Sequence, residues 1–255
     1  MTVTAITREV SPCIGTCALT FLDRTAIDVE RAVCQHNDYE RHLAALGVRV
    51  VSLPAPPDLP DAVFVEDTAV VLDEVAVMTS PMLESRRREV ESVAAVLERY
   101  RPLLRIEGDA HLEGGDVLRI GRTVYVGLSR RTNCEGASQL ARFLAPWGYR
   151  VQPVEVRGCL HLKTGGTYLG GNTLLANPTW IDCAPFDGLR ILEVPEEEPD
   201  AANVLLLGEV VLLAASFPRT RAMLRGEGFP VESVDISELQ KAEAGLTCCS
   251  AIFEG

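Results

Sequence analysis

Two thiols stand side by side in "GLTCCSAIFEG", residues 245–255. Adjacent cysteines rarely bridge to each other, because a disulfide needs Cα atoms roughly 4.4–6.8 Å apart and a staggered torsion. The pair is therefore buried filler, part of a metal site, or a nucleophile. Elsewhere polar residues stand just ahead of apolar segments: Asp61, Glu66 and Asp67 in "LPDAVFVED", Glu113 and Asp116 in "HLEGGD", His161 in "CLHLKTGG", Asn203 in "PDAAN" and Cys248 in "GLTCC". A cysteine with a histidine makes a nucleophile and a proton carrier. Several carboxylates are odd company for a thiolate, since they raise its pKa. They make sense around a substrate that brings positive charge. A planar guanidinium offers up to five donors in a fork that carboxylates match. Once bound, it offsets the carboxylates, and its central carbon is open to attack.

Taken singly, each residue has an ordinary reading. Asp or Glu before a hairpin is turn chemistry. A buried cysteine is a small hydrophobe. Arg86-Arg87-Arg88 is the solvated first turn of a helix, unfavourable beside the helix dipole. The joint placement is what points to a catalytic site. His111 also precedes a glycine-rich turn, so the residues alone do not separate it from His161.

What would bring these residues together is a repeat. "EDTAVVLDEVAVMT" from Glu66, "GDVLRIGRTVYVG" from Gly115, "GGTYLGGNTLLAN" from Gly165 and "ANVLLLGEVVLLA" from Ala202 each read as strand, two-residue turn, strand. The turn pairs are Asp73-Glu74, Gly121-Arg122, Gly170-Gly171 and Gly208-Glu209; Gly supplies the positive φ of tight hairpins, and Asp-Glu fits less well. The turns start 48, 49 and 38 residues apart, a period that signals repeat architecture. Helices separate the hairpins. "IDVERAVCQHNDYERHLAALG" ends at Gly47, "SRRREVESVAAVLERY" has Ser85 as its expected N-cap, and "EGASQLARFLAPWG" stops at Pro146 and Gly148. The unit is strand, strand, helix, strand; "NPTWIDCAPFDGLR" shows no good helix, which accounts for the short step. The last unit has one strand left, "CSAIF", and the first unit offers "TVTAIT". Pairing them closes a ring and hides both edges. In a closed ring the slots before the hairpins face one end of one axis, where the polar residues converge. An open doubly wound sheet is disfavoured, because "GGTYLGG" lacks G-x-G-x-x-G spacing.

Composition sets the surroundings. A chain of 255 residues, 47% hydrophobic, can bury a core as one domain spanning 1–255. It has no apolar run long enough for a membrane span, and its start lacks a secretory signal, so a cytoplasmic location is expected. A net charge of −12 disfavours nucleic acid and favours a cationic ligand. Eight cysteines form no C-x-x-C pair, and Cys13/Cys17 lacks a zinc-finger partner.

Six ordered motifs, "LPDAVFVED", "SRRREV", "LEGGD", "LSRRTN", "LHLKTG" and "LTCCS", resemble the dimethylarginine dimethylaminohydrolase family over essentially the whole chain. The resemblance implies the pentein fold, an α/β five-bladed propeller of ββαβ units. It implies hydrolysis of asymmetric dimethylarginine and monomethylarginine to citrulline and a methylamine, without a cofactor, in a monomer or homodimer whose partner is the small-molecule substrate. Cys248, not Cys249, matches the nucleophile that forms a covalent thiouronium. His161 matches the acid–base residue, and the motif here decides against His111. Glu113 resembles the carboxylate that orients the histidine. Asp61, Glu66 and Asp67 resemble the groups that hold the substrate's polar head and guanidinium. Arg86 and Arg131 resemble the clamp on the amino acid carboxylate. Leu19 aligns with the lid residue over the substrate, in a segment, "SPCIGTCALT", that otherwise matches poorly. Some members bind inhibitory zinc at the nucleophile, which extends to Cys248. Lys163 replaces the aspartate that arginine deiminases carry after the histidine, which favours methylated substrates. A deiminase or amidinotransferase is the enzymatic alternative. A non-catalytic propeller, as in a ribosome anti-association factor, is disfavoured by the joint presence of Cys248, His161 and Glu113.

Overall fold

The structure is a computed structural model and describes residues 2–255. The chain folds into five three-stranded sheets. Blade one takes β1 (Val3–Arg8), α1 (Val29–Ala45) and β2 (Arg49–Leu53). Blade two holds β3 (Ala69–Val71), β4 (Ala76–Met78), α2 (Glu89–Leu97) and β5 (Leu103–Arg105). Blade three holds β6 (Val117–Ile120), β7 (Thr123–Leu128), α3 (Cys134–Leu144) and β8 (Arg150–Glu155). One helical turn, α4 (Leu162–Gly165), leads into blade four, with β9 (Gly166–Tyr168), β10 (Thr173–Ala176) and β11 (Arg190–Glu193). Blade five holds β12 (Leu205–Leu207), β13 (Val210–Ala214), α5 (Pro218–Gly226) and β14 (Val231–Val234). After a short α6 (Ser237–Gln240), the last strand β15 (Ala251–Glu254) returns to blade one. In every blade the first two strands are antiparallel and the last two parallel. This is the expected five-bladed α/β propeller of ββαβ units.

The middle strand of each blade is apolar on both faces because it is buried on both. Along β13, Val211 and Leu213 pack toward blade four, while Leu212 and Ala214 pack toward blade one. Along β7, Val124 and Val126 face blade two and Tyr125 faces blade four. Successive side chains on a strand point to opposite faces, so each middle strand serves two of the five apolar clusters that fill the blade junctions. A fully buried Val or Leu contributes about 1.5–3 kcal/mol, which makes the junctions the main source of cohesion.

Gly47 lies just beyond α1, as the sequence suggested, and adopts φ +82°; Asp28, not singled out in the sequence, caps the helix by accepting the Arg31 N–H. The Asp73-Glu74 turn has no positive φ and is held from blade three instead. Arg119 grips Asp73 at 2.7 and 2.6 Å, and Arg122 grips Glu74 at 2.6 Å. Ser85 is not the N-cap of α2: it lies in a preceding 3-10 turn, Glu84–Arg86, and α2 begins after Arg88 with no side-chain cap. That extra turn carries Arg86 inward. Blade four has a 3-10 turn, Ala184–Phe186, in place of a helix. The helix α5 was not foreseen, since "PRTRAMLRG" offers only Met223 and Leu224 as large apolar residues and shows little periodicity.

The ring closes at blade one. β15 runs antiparallel to β1, with Val3 opposite Glu254 and Ile6 opposite Ala251. The final strand begins at Ala251 rather than at Cys249, because Thr247–Cys249 forms a 3-10 turn first. Arg8, fully buried at the end of β1, donates to the Ala62 carbonyl at 2.7 Å and the Glu89 carbonyl at 2.9 Å. These bonds tie blade one to blade two. Deleting residues 1–7 should therefore unfold the protein or abolish its activity. Hydrogen exchange should find residues 3–6 and 251–254 protected together. A stable, active protein without residues 1–7 would contradict the closure.

Candidate active site

Each slot ahead of a blade's first strand ends in one turn of helix. The turns are Val65–Thr68, Gly114–Asp116, α4, Pro199–Ala202 and Thr247–Cys249. The 65–68 turn packs against those at 114–116 and 247–249, and α4 packs against those at 114–116 and 199–202. The sequence located the slots but not this shared turn, which is too short to show a period.

Cys248 lies in the last of these turns, where Sγ accepts the Gly245 N–H at 3.4 Å. Asn203 accepts the Thr247 N–H at 3.1 Å and donates to Thr247 Oγ1 and the Lys163 carbonyl, both at 3.0 Å. Thr247 Oγ1 in turn donates to Glu66 Oε2 at 2.7 Å, and Lys163 Nζ meets Glu66 Oε1 at 2.5 Å. The turn that carries Cys248 is thus pinned to blades two, four and five.

His161 immediately precedes α4. Its Nε2 bonds Glu113 Oε2 at 2.8 Å and stands 3.8 Å from Asp67 Oδ1. The ring lies against Gly115, where a Cβ would come within 2.6 Å of Nδ1; on Gly114 a Cβ would come within 1.9 Å of the Glu66 carbonyl oxygen. Both glycines of "LEGGD" are required by close approach. Asp116 accepts the Leu162 N–H at 2.9 Å and the Ser129 hydroxyl at 2.6 Å, fixing the turn that carries His161.

Two arginines face this group. Arg86 donates to Asp67 Oδ2 at 2.8 Å, to Glu89 Oε2 at 3.0 Å and to the Phe64 carbonyl at 3.3 Å. Arg131 is less committed, with one bond to Thr20 Oγ1 at 3.0 Å and Glu113 Oε1 at 3.6 Å. Asp61 accepts the Ala18 N–H at 3.0 Å. Asp61, Asp67, Arg86, Arg131, His161 and Cys248 line one cavity of about 20 Å³, room for about one water. Glu66 and Glu113 are buried behind that lining. Leu19 packs into the apolar cluster between blades one and five, and Ala18 takes the place at the cavity. His111 is outside the lining, its N–H bonded to Asn133 Oδ1 at 3.0 Å. Glu89, the partner of Arg86, was missed by the sequence reading; its only signal was the three-residue spacing from Arg86.

Charge decides the resting state. Burial pushes the Cys248 thiol well up, and Glu66 and Asp67 push it further. Burial alone would lower His161, but Asp67, Asp116 and Glu113 overcome it and hold the imidazole up at about 9. Burial would raise Asp67, yet His161 and Arg86 bring it down to about 2. The free protein at neutral pH therefore holds a neutral thiol, a protonated histidine and an ionised Asp67. Asp67, Glu113 and His161 bring potential metal-ligand atoms within 4.8 Å of one another. Arg86 lies 2.8 Å from Asp67 and 3.7 Å from Glu113, and the trio excludes Cys248, so this set fits a cation poorly.

The family model described as "N,N dimethylarginine dimethylhydrolase, eukaryotic" matches residues 21–169. The N(G),N(G)-dimethylarginine dimethylaminohydrolase of Pseudomonas aeruginosa is 39% identical over 228 residues, covering 89% of this chain and 90% of that protein. The chain belongs to the dimethylarginine dimethylaminohydrolase family. The Streptomyces coelicolor protein of the same description is 38% identical over 247 residues, 96% of this chain and 95% of that one. A cysteine-to-serine mutant of the Pseudomonas aeruginosa dimethylarginine dimethylaminohydrolase, complexed with citrulline, superposes with a TM-score of 0.94 at 36% identity, covering 99% of this chain and all of that one.

The raised thiol of this dimethylarginine dimethylaminohydrolase family member carries a prediction. Thiolate is the reactive form, so alkylation of Cys248 by neutral iodoacetamide should be slow near pH 7 and climb about tenfold per pH unit toward pH 9. Mass spectrometry of the peptide containing Cys248 reads the rate. A flat profile would mean a preformed thiolate and contradict the charge balance described above.

Proposed function

We propose that the protein hydrolyses Nω-methylated arginines to citrulline and a methylamine. The observation that carries this reading is the convergence of a buried thiol, a carboxylate-held histidine and further carboxylates on one cavity, in a chain of this family. The citrulline complex of the Pseudomonas aeruginosa relative supports the product.

The guanidinium, once bound, supplies positive charge beside the carboxylates that hold the thiol up. Asp61 and Asp67, on the cavity, receive the substrate's polar head and guanidinium, and Glu66, behind the lining, adds its negative charge while its oxygens hold Thr247 and Lys163. The guanidinium's charge lowers the cost of ionising Cys248, whose proton passes to solvent because His161 is already protonated. Sγ attacks the central guanidinium carbon, and His161, protonated, gives its proton to the departing amine. A covalent thiouronium remains. His161, now neutral, takes a proton from water, which adds to the same carbon. Collapse expels the thiolate, forms the carbonyl of citrulline, and returns the proton to the site. One water is consumed for each amine released. Glu113 keeps the imidazole oriented through its 2.8 Å bond to Nε2. Arg131 and Arg86 clamp the carboxylate, and the segment of Leu19 covers the bound molecule. The whole of 1–255 acts as one catalytic domain.

Release of amine and of citrulline should be assayed against arginine and its methylated forms. Cys248→Ser should abolish turnover, while Cys249→Ser keeps much of it, and a trapped substrate adduct should appear on Cys248 alone. Ammonia released from arginine, with no amine from the methylated forms, would make the protein a deiminase. Equal loss in the two folded serine variants would remove Cys248 from its role.

The two arginines should differ. Arg131→Ala should raise KM by the loss of one charge-assisted contact, about 1.5–3 kcal/mol, with little change in melting temperature. Arg86→Ala should also destabilise the fold by about 3–5 kcal/mol, because it strands Asp67 and Glu89 in the interior. Guanidines without the carboxylate should be insensitive to Arg131→Ala; equal sensitivity would make Arg131 structural.

A further inference from the structure

The cavity that holds Cys248 and His161 is too small for the substrate proposed above. About 20 Å³ is free there, whereas sites for small organic ligands run to about 300–1,000 Å³. A second cavity of about 420 Å³ adjoins it. The two share Leu160, Glu243 and Ala244 as a common wall, and Phe21 and Leu22 flank the outer one. Segment 18–22 borders both, with Ala18 on the inner cavity and Phe21 and Leu22 on the outer one.

Glu243 holds it. Its Oε1 accepts the backbone N–H groups of Thr20, Phe21 and Leu22 at 2.8, 2.5 and 2.7 Å. Successive N–H groups converging on one oxygen make an anion nest, and bonds to a charged acceptor are the strong kind. At the inner end Leu19 packs into the apolar cluster between blades one and five, Asp61 accepts the Ala18 N–H and Arg131 donates to Thr20 Oγ1; at the outer end burial adds little, since Phe21 and Leu22 remain 42% and 51% exposed. Two features oppose the closed arrangement. Glu243 adopts φ 61°, a region that residues other than glycine seldom occupy. Its Oε2 is buried without a hydrogen-bond partner among the described residues, which is costly for a carboxylate. A segment held by a few strong polar bonds against strain and an orphaned oxygen can release and re-form; one held by apolar burial would stay put.

We propose that Glu243 is a positioning residue whose carboxylate latches segment 18–22 over the catalytic cavity and so governs passage between the outer cavity and Cys248. Its effect on KM rests on the hydrolase reading, whereas the latch itself does not. In Glu243→Ala the amides of residues 20–22 should exchange at least about tenfold faster, with amides elsewhere unchanged. Alkylation of Cys248 at fixed pH should accelerate about fivefold or more, and KM for asymmetric dimethylarginine should rise about tenfold with kcat within threefold. Glu243→Gln keeps an acceptor oxygen but not the charge, and should fall between Ala and wild type. Unchanged exchange at 20–22 in the folded alanine variant would overturn the latch, as would faster exchange spread evenly over the blade five to blade one junction, which marks a merely structural role. If the alanine variant does not fold, exchange in Glu243→Gln decides alone. A wild type inactive on methylated arginines, with faster exchange in the variants, would keep the latch and remove the hydrolase reading.

Discussion

Four residue pairs between the two ends of the chain hold the site in register. Each blade touches mainly its neighbours, so the position of one slot relative to the next is fixed only where the ring has no break. An unclosed ring would leave Cys248 attached to blade five with nothing opposite it. With β15 seated on β1, the turn of Cys248 is held from both directions. Its Thr247 bonds Glu66 on blade two at 2.7 Å, and Asn203 before blade five bonds Thr247. Closure also pairs both terminal strands, so β1 is the middle strand of blade one and only β15 and β2 remain as edges, as in the other three-stranded blades.

Around the axis the ring gathers more carboxyl groups than cationic ones, and burial pushes Glu89 up to about 7 and Asp116 up to about 6. Asp61, Glu66, Asp67, Glu89, Glu113 and Asp116 are all buried, against Arg86, Arg131 and Lys163 close by. The proton on His161 is a response to that excess: the imidazole carries positive charge because carboxylates surround it, even though burial alone opposes this. The thiol responds in the opposite sense and keeps its proton. A cation entering such a place reverses both tendencies at once, releasing the thiol proton and making the imidazolium a better acid. The same field that would favour a guanidinium-like cation keeps the Cys248 thiol protonated in its absence.

Much of this was legible in the sequence. The hairpins announced themselves because their middle strands are apolar on both faces, and the turn glycines fixed the period. The slots could be aligned, so Asp61, Asp67, His161 and Cys248 could be placed at one end of the axis before any coordinates. What was not legible depends on contacts rather than pattern. Arg86 reads as the first turn of a solvated helix; only the 3-10 turn ahead of α2 sends it inward to Asp67 and Glu89. Leu19 and Ala18 are one residue apart, and nothing in "TCALT" says which faces the cavity. Glu243 sits in "QKAEAG", an unremarked polar stretch, and its meaning lies in three amides more than two hundred residues away. The two glycines of "LEGGD" could be read as turn formers, whereas the structure uses them to let a histidine ring and a carbonyl come close.

Blade four lacks a helix. Between β10 and β11 the chain runs through irregular backbone with a 3-10 turn at Ala184–Phe186. Trp180, in that stretch, helps wall the outer cavity, beside Gly158 and Cys159 from the approach to α4. Walls made of loop accept changes of length and composition that a helix packed against a sheet does not. The ring therefore divides its own evolutionary freedom unevenly: four blades are bound to their helices, whereas the fourth is anchored to blade three mainly through Ile181 and Phe186, which stacks on Tyr125, and is less constrained between these anchors. Variation in what such proteins admit should concentrate there, and a library aimed at new guanidine substrates has its natural place at Trp180 and the positions around it, with Ile181 and Phe186 kept.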